Sequence, residues 1–117
     1  MKFEHIGIKV LNLPESIKFY TQILGCSVIN KLQKQETQLV FLDAHGVTIE
    51  LIYKPKNSLR NVGPVEHLAF KVDNFEKKVP ELKDLNIKFD GPARNTEIGK
   101  IIFFRGPNNE RIEFLGL

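Results

Sequence analysis

Hydrophobic and polar positions alternate along FEHIGIKV (3–10), with Ile6, Ile8 and Val10 on one side and His5, Gly7 and Lys9 on the other. That period of two predicts a strand with one buried face. The period then lengthens. Pro14 opens PESIKFYTQILG, in which Ile17, Tyr20 and Leu24 recur at helical spacing up to Gly25, predicting a helix that begins at proline and stops at glycine. Further strands are predicted at Ser27 to Leu32, Thr37 to Asp43 and Val47 to Tyr53, the last two joined by a turn holding His45 and Gly46. His45 reads as an exposed turn residue. From Lys54 to Gly63 periodicity gives way to Pro, Asn, Ser and Gly, the mark of a connector.

The second half follows the same order. A strand is predicted at Val65 to Val72, then a helix after Asn74 carrying Val79, Leu82 and Leu85, and a short strand at Ile87 to Phe89. Strands Ile101 to Arg105 and Arg111 to Leu115 follow around the turn Gly106-Pro107-Asn108-Asn109. Pro80 inside the helical pattern removes a backbone donor, so the helix is expected to kink there or to become regular only near it.

The two halves are copies in sequence as well as in order. FEHIGIKVLNL (3–13) and VEHLAFKVDNF (65–75) share Glu, His, Lys, Val and Asn at equivalent positions, and VTIELIY (47–53) and ERIEFLGL (110–117) share Ile-Glu followed by two apolar residues. Each half therefore begins with a histidine-bearing strand and ends with a glutamate-bearing one. The expected organisation is one domain over 1–117, made of two modules (1–53 and 64–117) and a connector (54–63).

Strand parity says which way these residues point. His5 lies opposite the apolar run Ile6, Ile8, Val10, and His67 lies opposite Leu68, Phe70, Val72. Glu50 likewise opposes Ile49 and Leu51, and Glu113 opposes Ile112 and Phe114. The apolar faces must pack under the helices, so all four polar groups avoid the helix-covered side. Gly7 and Ala69 leave room beside the histidines, and curling of the sheet would turn that room into a cleft. Taken singly, a strand His or Glu is an ordinary hydrogen-bonded or solvated residue. Four on matching faces, repeated at one spacing, form an N/O set suited to a borderline divalent cation with positions left for water or substrate. Lys9 and Lys71 share that face and are candidates to contact an anionic substrate.

Composition narrows the functional classes. The 17 basic residues are scattered among 14 acidic ones for a net charge of +3, and no basic stripe with stacking aromatics marks a nucleic-acid surface. No apolar run is long enough for a membrane helix, and the N-terminus lacks a signal-peptide pattern, so a cytoplasmic protein is expected. A single Cys26 permits neither an internal disulfide nor a thiolate metal cluster.

The pieces EHIGIKV, ESIKFYTQILG, VTIEL, EHLAFKV and FFRGPNNERIEF together resemble the vicinal oxygen chelate superfamily, over essentially the whole chain. That family includes glyoxalase I, methylmalonyl-CoA epimerase, extradiol dioxygenases, fosfomycin-resistance transferases and bleomycin-binding proteins. The resemblance implies an α+β fold of two βαβββ modules whose curved mixed sheets enclose a metal-binding cleft. His5, Glu50, His67 and Glu113 occupy the family's ligand positions. A glutamate at position 50 is similar to glyoxalase I, and the short chain is similar to the bacterial lactoylglutathione lyases. This implies Ni²⁺ or Co²⁺ first, with Zn²⁺ or Mn²⁺ as alternatives.

The chemistry so implied is that of a lyase or isomerase acting on a thiohemiacetal of a 2-oxoaldehyde through an enediolate. Glu113 is the candidate base, and Glu50 the alternative for the opposite face. Lys54 and Lys9 stand where glutathione-using relatives often carry Asn and Arg, so the resemblance leaves the thiol open: glutathione, another thiol adduct or a CoA ester. Two other readings are a methylmalonyl-CoA epimerase and a metal-free protein that sequesters a drug or metabolite. A homodimer is expected, in which the ligand set closes within one chain or across two.

Overall fold

Strand β1 (His5–Val10) alternates in exposure along its length, with Val10 fully buried and His5, Gly7 and Lys9 exposed. The computed structural model describes residues 3–58 and 65–116, and the chain divides into two compact units, Met1–Arg60 and Asn61–Leu117. Residues 59–63 of the expected connector lie outside the described residues, as does Leu117 at the end of the second copy.

In the first unit β1 is followed by helix α1 (Leu13–Lys18), which continues as a π-helical segment over Phe19–Ile23. Asn12 starts the helix: its side chain accepts a 3.0 Å hydrogen bond from the Glu15 N–H, satisfying an otherwise orphaned donor. Pro14 in the first turn costs nothing, because its missing N–H would have no helical partner there. Gly25, at φ +70°, turns the chain out, a conformation glycine adopts without steric penalty. Strands β2 (Ser27–Lys34), β3 (Thr37–Ala44) and β4 (Val47–Tyr53) complete a sheet ordered β1-β4-β3-β2. β1 pairs with β4 in parallel and the other pairs are antiparallel. The register sets Leu42 opposite Ile49 and Val40 opposite Leu51, all four buried. Burying each such side chain contributes about 1.5–3 kcal/mol.

The second unit repeats this plan. β5 (Leu68–Lys71), helix α2 (Phe75–Asp84), β6 (Arg94–Thr96), β7 (Gly99–Arg105) and β8 (Arg111–Gly116) form a sheet ordered β5-β8-β7-β6. β5 and β8 are parallel. The helix runs through Pro80 rather than starting there. The expected strand at Ile87 to Phe89 is a single bridge from Phe89 to Phe104, and the sheet edge is taken by β6 instead. Phe75, Val79 and Leu82 of α2 are buried, as are Ile112 and Phe114 of β8.

Both units thus have a βαβββ-like order around a mixed sheet, but the expectation of curved sheets enclosing a metal-binding cleft is corrected. Each sheet is open, ending in two different edge strands. Among the described residues no group of three or more His, Cys, Asp or Glu side chains comes together to hold a metal ion. Parity places donors on a face without gathering them, and each unit delivers one His and one Glu, His5 from β1 and His67 from just before β5. Among the described residues, no helix is long and apolar enough to cross a membrane.

Candidate metal-ligand pairs

Gly7 lies beside Glu50 in the β1–β4 ladder, and Phe41 lies on the other side of Glu50 in β3. The second unit has the same three-strand row, Ala69, Glu113 and Phe103. Each glutamate is flanked by buried residues of opposite parity, Ile49 and Leu51 in one case and Ile112 and Phe114 in the other. Packing of those neighbours fixes the backbone that carries the carboxylate. Glu113 is itself buried and Glu50 half-buried.

Each histidine reaches towards its glutamate. His5 Nε2 is 3.8 Å from Glu50 Oε1, and His67 Nε2 is 3.9 Å from Glu113 Oε1. Both rings stand edge-on to the aromatic residue of the row, His5 at 6.4 Å from Phe41 and His67 at 5.5 Å from Phe103 between ring centres. These separations are too long for a hydrogen bond. Two ligands each about 2.1 Å from one ion sit roughly 3.0–3.4 Å apart, so a small torsional change brings either pair to coordinating distance. One imidazole nitrogen and one carboxylate oxygen fit a borderline divalent cation, and each pair supplies two donors.

The pairs differ in what lies behind the histidine. His67 Nδ1 is 2.9 Å from Glu66 Oε1, whereas His5 Nδ1 is 3.6 Å from Glu4 Oε1. Arg111 Nη1 donates to the same Glu66 oxygen, and its guanidinium stacks over Phe103 at 3.7 Å from the ring centre. Hydrogen bonds from His67 and then Arg111 hold the Glu66 carboxyl below the usual glutamate range. Asp90 completes the cluster, accepting from Arg105 Nε at 3.0 Å with Arg111 Nε at 3.9 Å.

The structure therefore brings His5 to Glu50 and His67 to Glu113. Lys9 and Lys71 are exposed; Lys9 lies on the histidine face of β1 beside Ile52, and Lys71 lies beside Leu115 at the end of β5, on the face of Ala69. Sequence reasoning missed Glu66, Arg111, Phe41 and Phe103. The glutamate before each histidine is identical in both copies, and Phe41 and Phe103 are equivalent by the same repeat. His45 is exposed as expected, yet its Nε2 lies 2.9 Å from the Leu24 carbonyl oxygen, tying the β3–β4 turn to the end of the first helix.

Comparison with known proteins identifies the family. The chain is 29% identical to the Bacillus subtilis protein YwbC over 97% of this chain and 95% of that protein. It is 28% identical to the lactoylglutathione lyase of Schizosaccharomyces pombe, matching 97% of this chain while spanning only 47% of that protein. The metallothiol transferase FosB of Lysinibacillus sphaericus is also 28% identical, over 94% of this chain and 78% of the relative. Among solved structures, the trypanothione-dependent glyoxalase I of Leishmania major superposes with a TM-score of 0.85 at 26% identity, covering 99% of this chain and 86% of that one. A family profile matches residues 2–114, and the chain belongs to the Glyoxalase/Bleomycin resistance protein/Dioxygenase superfamily.

Proposed function

We propose that the protein is a divalent-metal-dependent lyase or isomerase of the glyoxalase I type, acting on the thiol adduct of a 2-oxoaldehyde. The observation that carries this reading is the twofold occurrence of a His–Glu pair, at 3.8 and 3.9 Å, in equivalent rows of two equivalent sheets. The similarity to proteins named lactoylglutathione lyase and glyoxalase I supports it.

His5, Glu50, His67 and Glu113 are the proposed ligands, two pairs drawn from one chain or from two chains of a homodimer, with Ni²⁺ or Co²⁺ as the favoured ion. Such an ion, when bound, polarises neighbouring substrate oxygens and acidifies the adjoining C–H. The protein's part is proton transfer and orientation. Glu113, itself buried, is the proposed base, taking the proton at Oε1 and returning it to the neighbouring carbon. Glu50 takes this role if the proton leaves from the opposite face. Lys9 and Lys71 are proposed to hold an anionic part of the substrate as flexible point charges.

Calorimetric titration of chelator-stripped protein with Ni²⁺ tests the reading. Binding by the wild type that weakens in Glu113→Ala and in His5→Ala, followed by turnover of a methylglyoxal–thiol adduct, is expected. No binding heat for the wild type would remove the metalloenzyme reading. Sedimentation of the same samples tests the homodimer.

A further inference from the structure

The repeated strand carries a Glu-His dipeptide, not a lone histidine: Glu4-His5 in one copy and Glu66-His67 in the other. The proposed ligand set uses the histidines and leaves the glutamates unexplained. In the second unit the geometry supplies a role. Glu66 Oε1 lies 2.9 Å from His67 Nδ1 and accepts from Arg111 Nη1 as well. An ionised carboxylate only accepts hydrogen bonds, so the ring nitrogen facing it must carry the proton. The other nitrogen, Nε2, then presents its lone pair on the side of Glu113 Oε1, 3.9 Å away.

We propose that Glu66, clamped by Arg111, is a positioning residue that fixes His67 as the Nδ1–H tautomer, with Nε2 free to act as an electron-pair donor. Arg111 is held in turn from two sides: its guanidinium lies over the Phe103 ring and its Nε faces Asp90 Oδ2 at 3.9 Å. Phe103 meets the edge of the His67 ring, so one aromatic side chain braces both the histidine and the arginine that secures its partner. A carboxylate behind an imidazole fixes its orientation and raises its basicity. That His67 serves a metal rests on the proposed function; that Glu66 fixes its tautomer does not.

The three histidines of the chain make the test internally controlled. His45 Nε2 faces the Leu24 carbonyl oxygen at 2.9 Å, which only accepts, so His45 is the Nε2–H tautomer. His5 Nδ1, at 3.6 Å from Glu4 Oε1, is beyond hydrogen-bond reach and is expected as a mixture. Long-range ¹H–¹⁵N correlation of histidine-labelled, metal-free protein at about pH 8.5, above the ordinary imidazole pKa, reads all three. The expected result is His67 as Nδ1–H in the wild type, a shift to a mixture like that of His5 in Glu66→Ala, and retention in Glu66→Gln, whose amide oxygen still accepts. His67 as Nε2–H in the wild type, or a tautomer unchanged by Glu66→Ala, overturns the proposal. Ni²⁺ titration of the same samples separates the two readings. If Glu66→Ala moves the tautomer while no variant binds metal, the positioning role stands and the metalloenzyme reading falls. If metal binds, Glu66→Ala is expected to weaken it about 10- to 100-fold, and a tautomer that moves while affinity stays unchanged would remove His67 from the proposed ligand set.

Discussion

Gly7 faces Glu50 across the parallel β1–β4 ladder, and a Cβ at position 7 would lie 3.5 Å from Glu50 Oε1 and 3.1 Å from Ile52 Cδ1. The second unit carries Ala69 at the same place beside Glu113. One methyl group is thus compatible with this row, and Ile52 Cδ1, at the end of a flexible side chain, can move aside by a few tenths of an ångström. Gly7→Ala is expected to fold with near wild-type stability. Gly7→Val has no such room: it must displace Ile52 and push the Glu50 carboxylate, at about 1–3 kcal/mol for overpacking. Urea unfolding checks the stability, and Ni²⁺ titration checks that only the valine variant weakens binding.

Gly116 presents the opposite case. A Cβ there would meet Phe75 Cβ at 2.5 Å and Phe75 Cγ at 2.8 Å. Phe75 Cβ is fixed to the backbone of α2, so no rotamer change relieves the contact and the helix itself must slide over β8. Gly116→Ala is therefore expected to cost about 1–3 kcal/mol, read as a lower urea midpoint. The same substitution at Gly91, where a Cβ meets nothing within 4 Å, is expected to have little effect.

What the sequence makes legible here follows from periodicity. Strands β1, β4 and β8 announce themselves by alternation and β3 and β7 by short apolar runs, and parity puts His5 and Glu50 on one face because both sit in paired, extended backbone. Strand β6, Arg94-Asn95-Thr96, is polar and exposed throughout, so no period marks it, while Ile87 to Phe89 carries the pattern and forms only a bridge. The role of Glu66 is hidden for a related reason. β5 begins at Leu68, which leaves Glu66 and His67 outside the strand, where parity no longer forces neighbours apart and both side chains can meet. The π-helical turn at Phe19–Ile23 is equally silent, since Ile17, Tyr20 and Leu24 satisfy ordinary helical spacing. How many donors gather at one point is a matter of tertiary placement, which strand patterns do not encode.

Cys26 is 5% exposed, and burial, with the nearby Asp43 charge adding to it, pushes its thiol up to about 11. Only the thiolate is a good nucleophile, so iodoacetamide at pH 8 is expected to modify Cys26 at the rate of unfolding and not faster. The linkage has a definite sign. In the unfolded chain the thiol ionises near its ordinary value of about 8.5–9, while the folded protein keeps it protonated to about 11. The associated stability is therefore intact below about pH 9 and declines between there and pH 11, by about 2–3 kcal/mol in total. Urea unfolding at pH 8 and 10.5 should show a steeper loss for wild type than for Cys26→Ala, whose curve lacks this contribution.

His45 separates a structural histidine from the two proposed ligands. It sits at φ +56° in the β3–β4 turn and spans to the first helix through its 2.9 Å contact with the Leu24 carbonyl oxygen. Replacement by alanine would mix two effects, the lost hydrogen bond and the strain of a left-handed backbone. Asparagine tolerates that backbone region but is too short to reproduce the imidazole's reach, so His45→Asn removes the bond without adding backbone strain. A part-buried hydrogen bond of this kind contributes about 0.5–1.5 kcal/mol, and the urea midpoint is expected to fall accordingly. Ni²⁺ binding should be unchanged in His45→Asn and lost or weakened in His5→Asn and His67→Asn. If His45→Asn were the variant that lost metal, the ion would lie at the β3–β4 turn, and the His–Glu pairs would need another explanation.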